Sequence, residues 1–249
     1  MYILVFGAVL GAILGSFAKA LADRSLTNRS FLTRSHCELC KRVLKPQDLV
    51  PLISYLLLKG KCRYCKEKLS TEYLVVEAVM GVLVAALFWI NWPNLPQLLY
   101  QVFFVTILVT IFLTDLKEMF IPDRVIIPAL VIGVILLALL APSQFIPSIL
   151  TSFLIGLFFL TLVLITGGKG MGGGDIKLGA FIGLLGPPAG FLAIMLGFLL
   201  GAIFGLTTII LGKKGFKDAL PFGPFLVIGS LITLFLGNEI LDWYLKLQF

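Results

Sequence analysis

Asp115 and Asp175 are the residues of this chain best suited to chemistry, and they emerge by elimination. The sequence has one histidine, His36, set beside Cys37. That leaves no credible Ser/His/Asp or Cys/His set, and there is no H-E-x-x-H pattern for metal-assisted hydrolysis. Carboxylates remain as the groups able to activate water. Asp115 closes an apolar run after Phe112-Leu113-Thr114, and Asp175 follows Gly167-Gly168-Lys169-Gly170-Met171-Gly172-Gly173-Gly174 and opens the next one. Ionisable groups at membrane depth are costly and face a protein interior or a water-filled cavity. Two carboxyls sharing one partly desolvated cavity do not both ionise readily, so together they hold a proton, one acting as base on water and the other as acid. That is the chemistry of an aspartic protease. The competing reading is architectural: Asp175 caps its helix and Asp115 meets a lysine such as Lys117 or Lys177.

Six glycines occupy the nine residues ending at Asp175. They let backbone approach closely and adopt positive φ, which suits a site that receives an extended peptide. Gly172, Gly173, Gly174 and Lys177 are therefore candidates for substrate binding or support. A phosphate loop does not fit, because the pattern G-x-x-x-x-G-K-[ST] is missing and Asp175 would repel phosphate. Asp123, after Ile121-Pro122, precedes an apolar helix and suits an N-cap, so it reads as a supporting residue. Glu77 lies inside an apolar span and is a further supporting acid, with no partner legible in the sequence.

The four cysteines form a second constellation. Cys37-x2-Cys40, then 21 residues, then Cys62-x2-Cys65 is the spacing of two knuckles that offer four thiolates to a tetrahedral ion, and zinc is the expected metal. Two disulfides are the rival reading, opposed by a cytoplasmic placement where thiols stay reduced. Four thiolates complete the shell and leave no position for an activated water, so the metal is expected to be structural. His36 is expected to be a solvated neighbour.

These groups must be positioned by membrane spans. Of the 249 residues 59% are hydrophobic and 13% charged, with a mean hydropathy of +1.05, which excludes an ordinary soluble domain. Apolar windows fall at about 2–22, 73–91, 97–115, 124–141, 145–166, 176–211 and 221–245, each near or above the ~20 residues needed to cross a bilayer. The run 176–211 is too long for one span, and Gly186-Pro187-Pro188 breaks it into two. The expected fold is an all-α polytopic membrane protein of about eight transmembrane helices, with a small cytoplasmic zinc-binding module between the first and second spans. The expected organisation is residues 1–22 as the first transmembrane helix, 23–72 as that module and 73–249 as a transmembrane peptidase domain. With the amino terminus outside, nearly all Lys and Arg fall in the inside segments 23–72, 116–123, 167–175 and 212–220 and the helix ends beside them, and only Lys246 dissents. The net charge of +7 is then a topological signature for a chain set in an anionic bilayer, and nucleic acid is not needed.

At these residues the chain resembles the type IV prepilin peptidases, the bifunctional leader peptidase and N-methyltransferase family of GxGD aspartic proteases. The match runs through Gly15-Ser16-Phe17, Arg24, the paired cysteines, Asp48-Leu49-Val50-Pro51-Leu52-Ile53-Ser54, Gly60-Lys61-Cys62-Arg63-Tyr64-Cys65, Glu77, Asp115 with Ile121-Pro122-Asp123, and Gly172-Gly173-Gly174-Asp175-Ile176-Lys177-Leu178. Where the family continues Gly-Ser-Phe-Leu-Asn-Val, this chain reads Gly15-Ser16-Phe17-Ala18-Lys19-Ala20. The resemblance implies that Asp115 and Asp175 are a catalytic pair in the bacterial cytoplasmic membrane, acting on prepilins or pseudopilins with a short basic leader. Cleavage would follow a glycine on the cytoplasmic side. It also implies methylation of the new terminal amine with S-adenosylmethionine, for which the sequence shows no donor site. The compact length suggests the forms that serve competence pseudopili. A reading from another class makes the same aspartates the relay of a proton- or ion-coupled transporter. It is disfavoured because both lie at one membrane edge, whereas coupling sites sit near the midplane.

Overall fold

The computed structural model describes residues 2–27, 29–31, 33–37, 40–168, 171–212 and 220–246. Among them the chain is helical: α1 (Tyr2–Leu26), a short α2 (Ile53–Leu57), α3 (Glu72–Asn91), α4 (Leu95–Glu118), α5 (Asp123–Leu140), α6 (Phe145–Thr166), α7 (Gly173–Gly183), α8 (Ala189–Ile210) and α9 (Gly223–Lys246). There is no strand among the described residues, only two isolated bridges, His36 to Val43 and Lys61 to Lys68. Seven helices are long and apolar enough to cross a membrane, and the chain is a multi-pass membrane protein. The expected break in the sixth apolar window lies at Leu184–Pro188, between α7 and α8. Its first half, α7, has 11 residues and is too short to span alone at 1.5 Å per residue. The expected inside segment 212–220 falls outside the described residues from 213 to 219, as do Lys169 and Gly170.

The chain divides into two compact units, Met1–Leu98 and Leu99–Phe249. In the first, Gly7, Gly11 and Gly15 line one face of α1 at four-residue spacing. A Cβ added at Gly11 would lie 2.4 Å from the Met80 carbonyl oxygen, and one at Gly15 2.9 Å from Glu77 Cα. The spacing therefore brings the backbones of α1 and α3 together, as small residues do where lipid supplies no hydrophobic drive between helices. Lys19, at the position where the family reads asparagine, is 2% exposed. Its ammonium pairs with Asp23 at 2.6 Å and Glu72 at 3.0 Å and lies 4.8 Å from the Tyr73 ring centre. A buried cation is tolerated only with such compensation.

The second unit is built around aromatic and glycine contacts. Phe104 of α4 stacks on Phe181 of α7 with ring centres 4.3 Å apart, and the Tyr100 hydroxyl donates to the Leu184 carbonyl at 2.8 Å. Gly179 and Gly183 let α7 lie against α6, where a Cβ at Gly183 would come within 2.4 Å of Ser152 Cα. Ser152 Oγ donates to the Ala180 carbonyl at 2.7 Å. These contacts fix the short α7, and so the residue three places into it, Asp175.

Candidate active site and metal centre

Asp115 sits one turn before the end of α4, which continues to Glu118 rather than stopping at the aspartate. It is 5% exposed, and Asp175 is 9% exposed. The two carboxyls are close enough to interact electrostatically. Each faces the amide end of a helix. Asp175 Oδ2 accepts the Gly172 N–H at 3.0 Å, and the Asp115 carboxyl lies against the backbone N–H of Gly223, the first residue of α9. Asp115 Oδ2 is fully buried and has no hydrogen-bond partner among the described residues. Buried acceptors are nearly always satisfied, which sets this oxygen apart among the described residues.

The architectural reading holds for Asp175, and of the two lysines it offers Asp115, Lys177 is engaged elsewhere. Asp175 does cap its helix through one oxygen, whereas Lys177 goes to Asp123 and not to Asp115, with Nζ 2.5 Å from Asp123 Oδ1. Asp123 corrects the expectation of an N-cap: Pro122 occupies the cap and Asp123 is the first helical residue, its carboxyl taken by Lys177 across from α7. Of the glycines, Gly174 packs on Ile121, where a Cβ would come within 3.0 Å, while a Cβ at Gly173 would meet nothing within 4 Å. Close approach and open space thus fall on adjacent residues beside Asp175. The positive φ expected of the run is found at Gly167 (59°) and Gly168 (73°), and Gly172 is extended at φ −86°.

Gly223 was not singled out from sequence. Its signal is weak there, a glycine between Phe222 and Pro224 at the start of an apolar run. A Cβ at this position would lie 2.6 Å from Asp115 Oδ2 and 3.0 Å from its Cγ. Gly223→Ala is therefore expected to displace the carboxyl by a large fraction of an ångström and to lower turnover by about 10²-fold, with a smaller change in thermal unfolding. Steady-state rates beside a melting curve on the purified variant check this.

The cysteine module lies wholly in the first unit. The Sγ atoms of Cys37, Cys40, Cys62 and Cys65 are within 4.8 Å of one another, all four are free thiols, and Cys37 and Cys65 are 3.9 Å apart. A tetrahedral ion at ~2.3 Å from each sulfur requires S–S separations of ~3.8 Å, so the donor set fits. The two knuckles repeat one geometry. Cys37 N–H donates to the Arg42 carbonyl and Cys62 N–H to that of Glu67, and Lys41 and Lys66 both take positive φ. Burial pushes the Cys62 thiol up, but the amides of Cys65 and Tyr64 and the neighbouring thiols outweigh it and bring it down to about 7. His36 stays outside the cluster, with Nε2 3.0 Å from Arg29 Nη1.

Asp48 ties the segment between the knuckles to the second of them. Its Oδ1 pairs with Arg63 Nε at 2.6 Å, and its Oδ2 accepts the Tyr64 hydroxyl at 3.0 Å and the Lys45 N–H at 3.1 Å. Burial raises this carboxyl, yet the Lys45 amide, Arg63 and Tyr64 outweigh it and hold it below the usual range. Because the folded value is the lower one, the stabilisation is present above the unfolded carboxylate range and is lost as pH falls through the folded value. Asp48→Asn is expected to cost about 1 kcal/mol at neutral pH, since Arg63 is substantially exposed and surface pairs are weak. The difference from the parent should vanish on acidification, as followed by denaturant unfolding across pH.

A buried carboxylate pair in a polytopic helical chain, with a four-thiol knuckle cluster before its second long helix, defines a class of membrane-embedded enzyme. The comparisons place this chain within it. Residues 9–91 match the Bacterial Peptidase A24 N-terminal domain and residues 102–206 the Type IV leader peptidase family. The prepilin leader peptidase/N-methyltransferase of Bacillus subtilis is 33% identical over 247 residues, covering 96% of each chain. That of Legionella pneumophila is 32% identical, covering 86% of this chain and 76% of the relative, and that of Vibrio cholerae is 34% identical, covering 74% and 78%. The chain belongs to the prepilin leader peptidase/N-methyltransferase family. No solved structure gives a significant match.

Proposed function

We propose that the protein removes the short basic leader from prepilins or pseudopilins after a glycine and then methylates the newly exposed amine. The observation that carries the peptidase half is the pairing of Asp115 and Asp175, both buried, in one unit, with Asp115 Oδ2 left without a partner. One carboxylate takes a proton from water as that water attacks the scissile carbonyl, and the protonated partner hydrogen-bonds the carbonyl oxygen. The proton then passes to the leaving amine. The open backbone face at Gly173 supports entry of an extended junction, and the Lys177–Asp123 pair supports the frame by joining the starts of α5 and α7.

Cys37, Cys40, Cys62 and Cys65 would hold a structural zinc ion, which organises the 23–72 module and takes no part in proton transfer. Bound S-adenosylmethionine would supply an electrophilic methyl group to the neutral amine, leaving a thioether while the amine's proton goes to water. The amino terminus lies outside the cytoplasmic membrane, and the module and both aspartates on the cytoplasmic side, in keeping with the distribution of Lys and Arg. The test is the mass of the product when purified protein meets a prepilin with and without S-adenosylmethionine. The expected result is loss of the leader in both reactions and one added methyl only with the donor. An intact prepilin in both would refute the peptidase reading.

A further inference from the structure

The short helix α2 is amphipathic in the opposite sense to a helix of a water-soluble module. Ile53, Leu56 and Leu57 fall at the i, i+3, i+4 spacing of one helix face, and all three are exposed, Leu57 by 77%. Val50, just before the helix, is exposed as well. The more polar residues turn inward instead. Ser54 and Tyr55 line the cavity walled by α1, α3 and the cysteine module, and the Tyr55 hydroxyl donates to the Leu69 carbonyl at 3.4 Å. A contiguous apolar stripe turned outward marks an interaction surface.

One contact sets the level at which this stripe sits. Leu52, the residue before α2, donates its N–H to Glu77 Oε2 at 2.7 Å. Glu77 belongs to α3, which is long and apolar enough to cross a membrane, and its backbone lies ~7.5 Å along that helix from Glu72 at 1.5 Å per residue. The start of α2 is therefore held level with the first turns of a membrane span rather than beyond its end. Interfacial helices bury their apolar face ~5–10 Å into the boundary between head groups and acyl chains, a comparable depth.

The backbone suits such a place. The carbonyls of Ser54, Tyr55, Leu56 and Leu58 accept the N–H groups of Leu58, Gly60, Lys59 and Lys61, so these four acceptors do not depend on water. Lys59 and Lys61 are exposed and follow directly on the leucines. Long basic side chains in that position reach from an apolar level to lipid phosphate.

We propose that α2 is an interfacial anchor: Ile53, Leu56 and Leu57 enter the lipid leaflet on the module's side of the membrane, and Lys59 and Lys61 pair with the phosphates of anionic phospholipid. The cysteine module is then fixed to the bilayer at a third point, besides its covalent joins to α1 and α3. The basic pair at the end of the apolar stripe selects an anionic bilayer surface as the partner.

The test uses the full-length protein with its metal, reconstituted into vesicles of phosphatidylcholine alone or mixed with phosphatidylglycerol. Both carry a phosphatidylcholine with a photoactivatable diazirine in its acyl chain, and labelled peptides are mapped by mass spectrometry. α1 and α3 serve as internal standards. The parent should be labelled within residues 43–59, more strongly when phosphatidylglycerol is present, a readout that needs no variant to fold. Leu56→Ser/Leu57→Ser should lower the label on α2 about fivefold and leave that on α1 and α3 unchanged. Lys59→Glu/Lys61→Glu should remove the gain from phosphatidylglycerol. Metal content equal to the parent's shows that the module of each variant is intact. Label on α1 and α3 with none on α2 overturns the anchor, and protection of that unlabelled α2 from hydrogen exchange would show that protein covers the face instead. Equal labelling of the parent and an intact Leu56→Ser/Leu57→Ser variant overturns it too, and a phosphatidylglycerol gain that survives Lys59→Glu/Lys61→Glu overturns the role of the lysines.

Discussion

Asp115→Asn and Asp175→Asn are each expected to slow leader release by roughly 10²–10⁴-fold, the range over which a positioned acid or base contributes. The protein itself should remain folded. Asparagine preserves volume, and at position 175 its side-chain oxygen still accepts the Gly172 N–H that the aspartate accepts at 3.0 Å. At position 115 the amide occupies the same pocket against Gly223. Prepilin binding should therefore survive in both variants while turnover collapses, a fall in kcat with little change in KM. Stopped time courses resolved by gel or mass spectrometry, alongside a pull-down with uncleaved prepilin, measure both quantities. Asp123→Asn serves as the contrast, because its carboxyl is engaged by Lys177 at the edge of the site, and it should cost far less than either member of the pair.

The second large effect concerns the metal. Structural zinc supplies ~10–16 kcal/mol of apparent binding free energy in small knuckle domains, and a module of some fifty residues has too little apolar core to replace it. Its apolar residues bear this out: Val43, Leu49, Ile53, Leu56 and Leu57 are all exposed. Cys62→Ser, or prolonged chelation of the parent, is expected to release the metal and open the segment between α1 and α3 to proteolysis. Cleavage within residues 29–70 under limited trypsin, beside elemental analysis for zinc, gives the readout. A metal-free module that resists trypsin as the parent does would show that packing and the Asp48–Arg63–Tyr64 cluster suffice.

Much of this architecture could be read from residue types alone. Apolar length fixes the long helices, because an uncharged run near twenty residues has few other fates, and the Gly186-Pro187-Pro188 break lies where α7 and α8 part. Cysteine spacing likewise announced a four-thiol cluster. What could not be read was contact between distant segments. Asp123 looked like a cap because its local sequence suits one. Only the fold reveals Lys177 across from it, 54 residues away. Gly223 was invisible for the same reason: its role is set by the Asp115 carboxyl 2.6 Å from where a Cβ would stand, and no local pattern encodes that. Glu77 could be recognised as a buried acid, while its partner, the Leu52 amide, lies in a turn whose positive φ leucine runs against ordinary propensity. Lys19, in sequence a departure from the family pattern, proves to be a compensated buried cation.

The central claim is that Asp115 and Asp175 act as one unit on one water, and the double variant tests it most directly. Residues that act together are strongly non-additive, so removing either member already forfeits what the pair provides. The rate of leader release by Asp115→Asn/Asp175→Asn should equal that of the slower single variant within a fewfold. A double variant slower than either single by the product of their separate effects, or a single variant that retains the parent rate, would contradict the account.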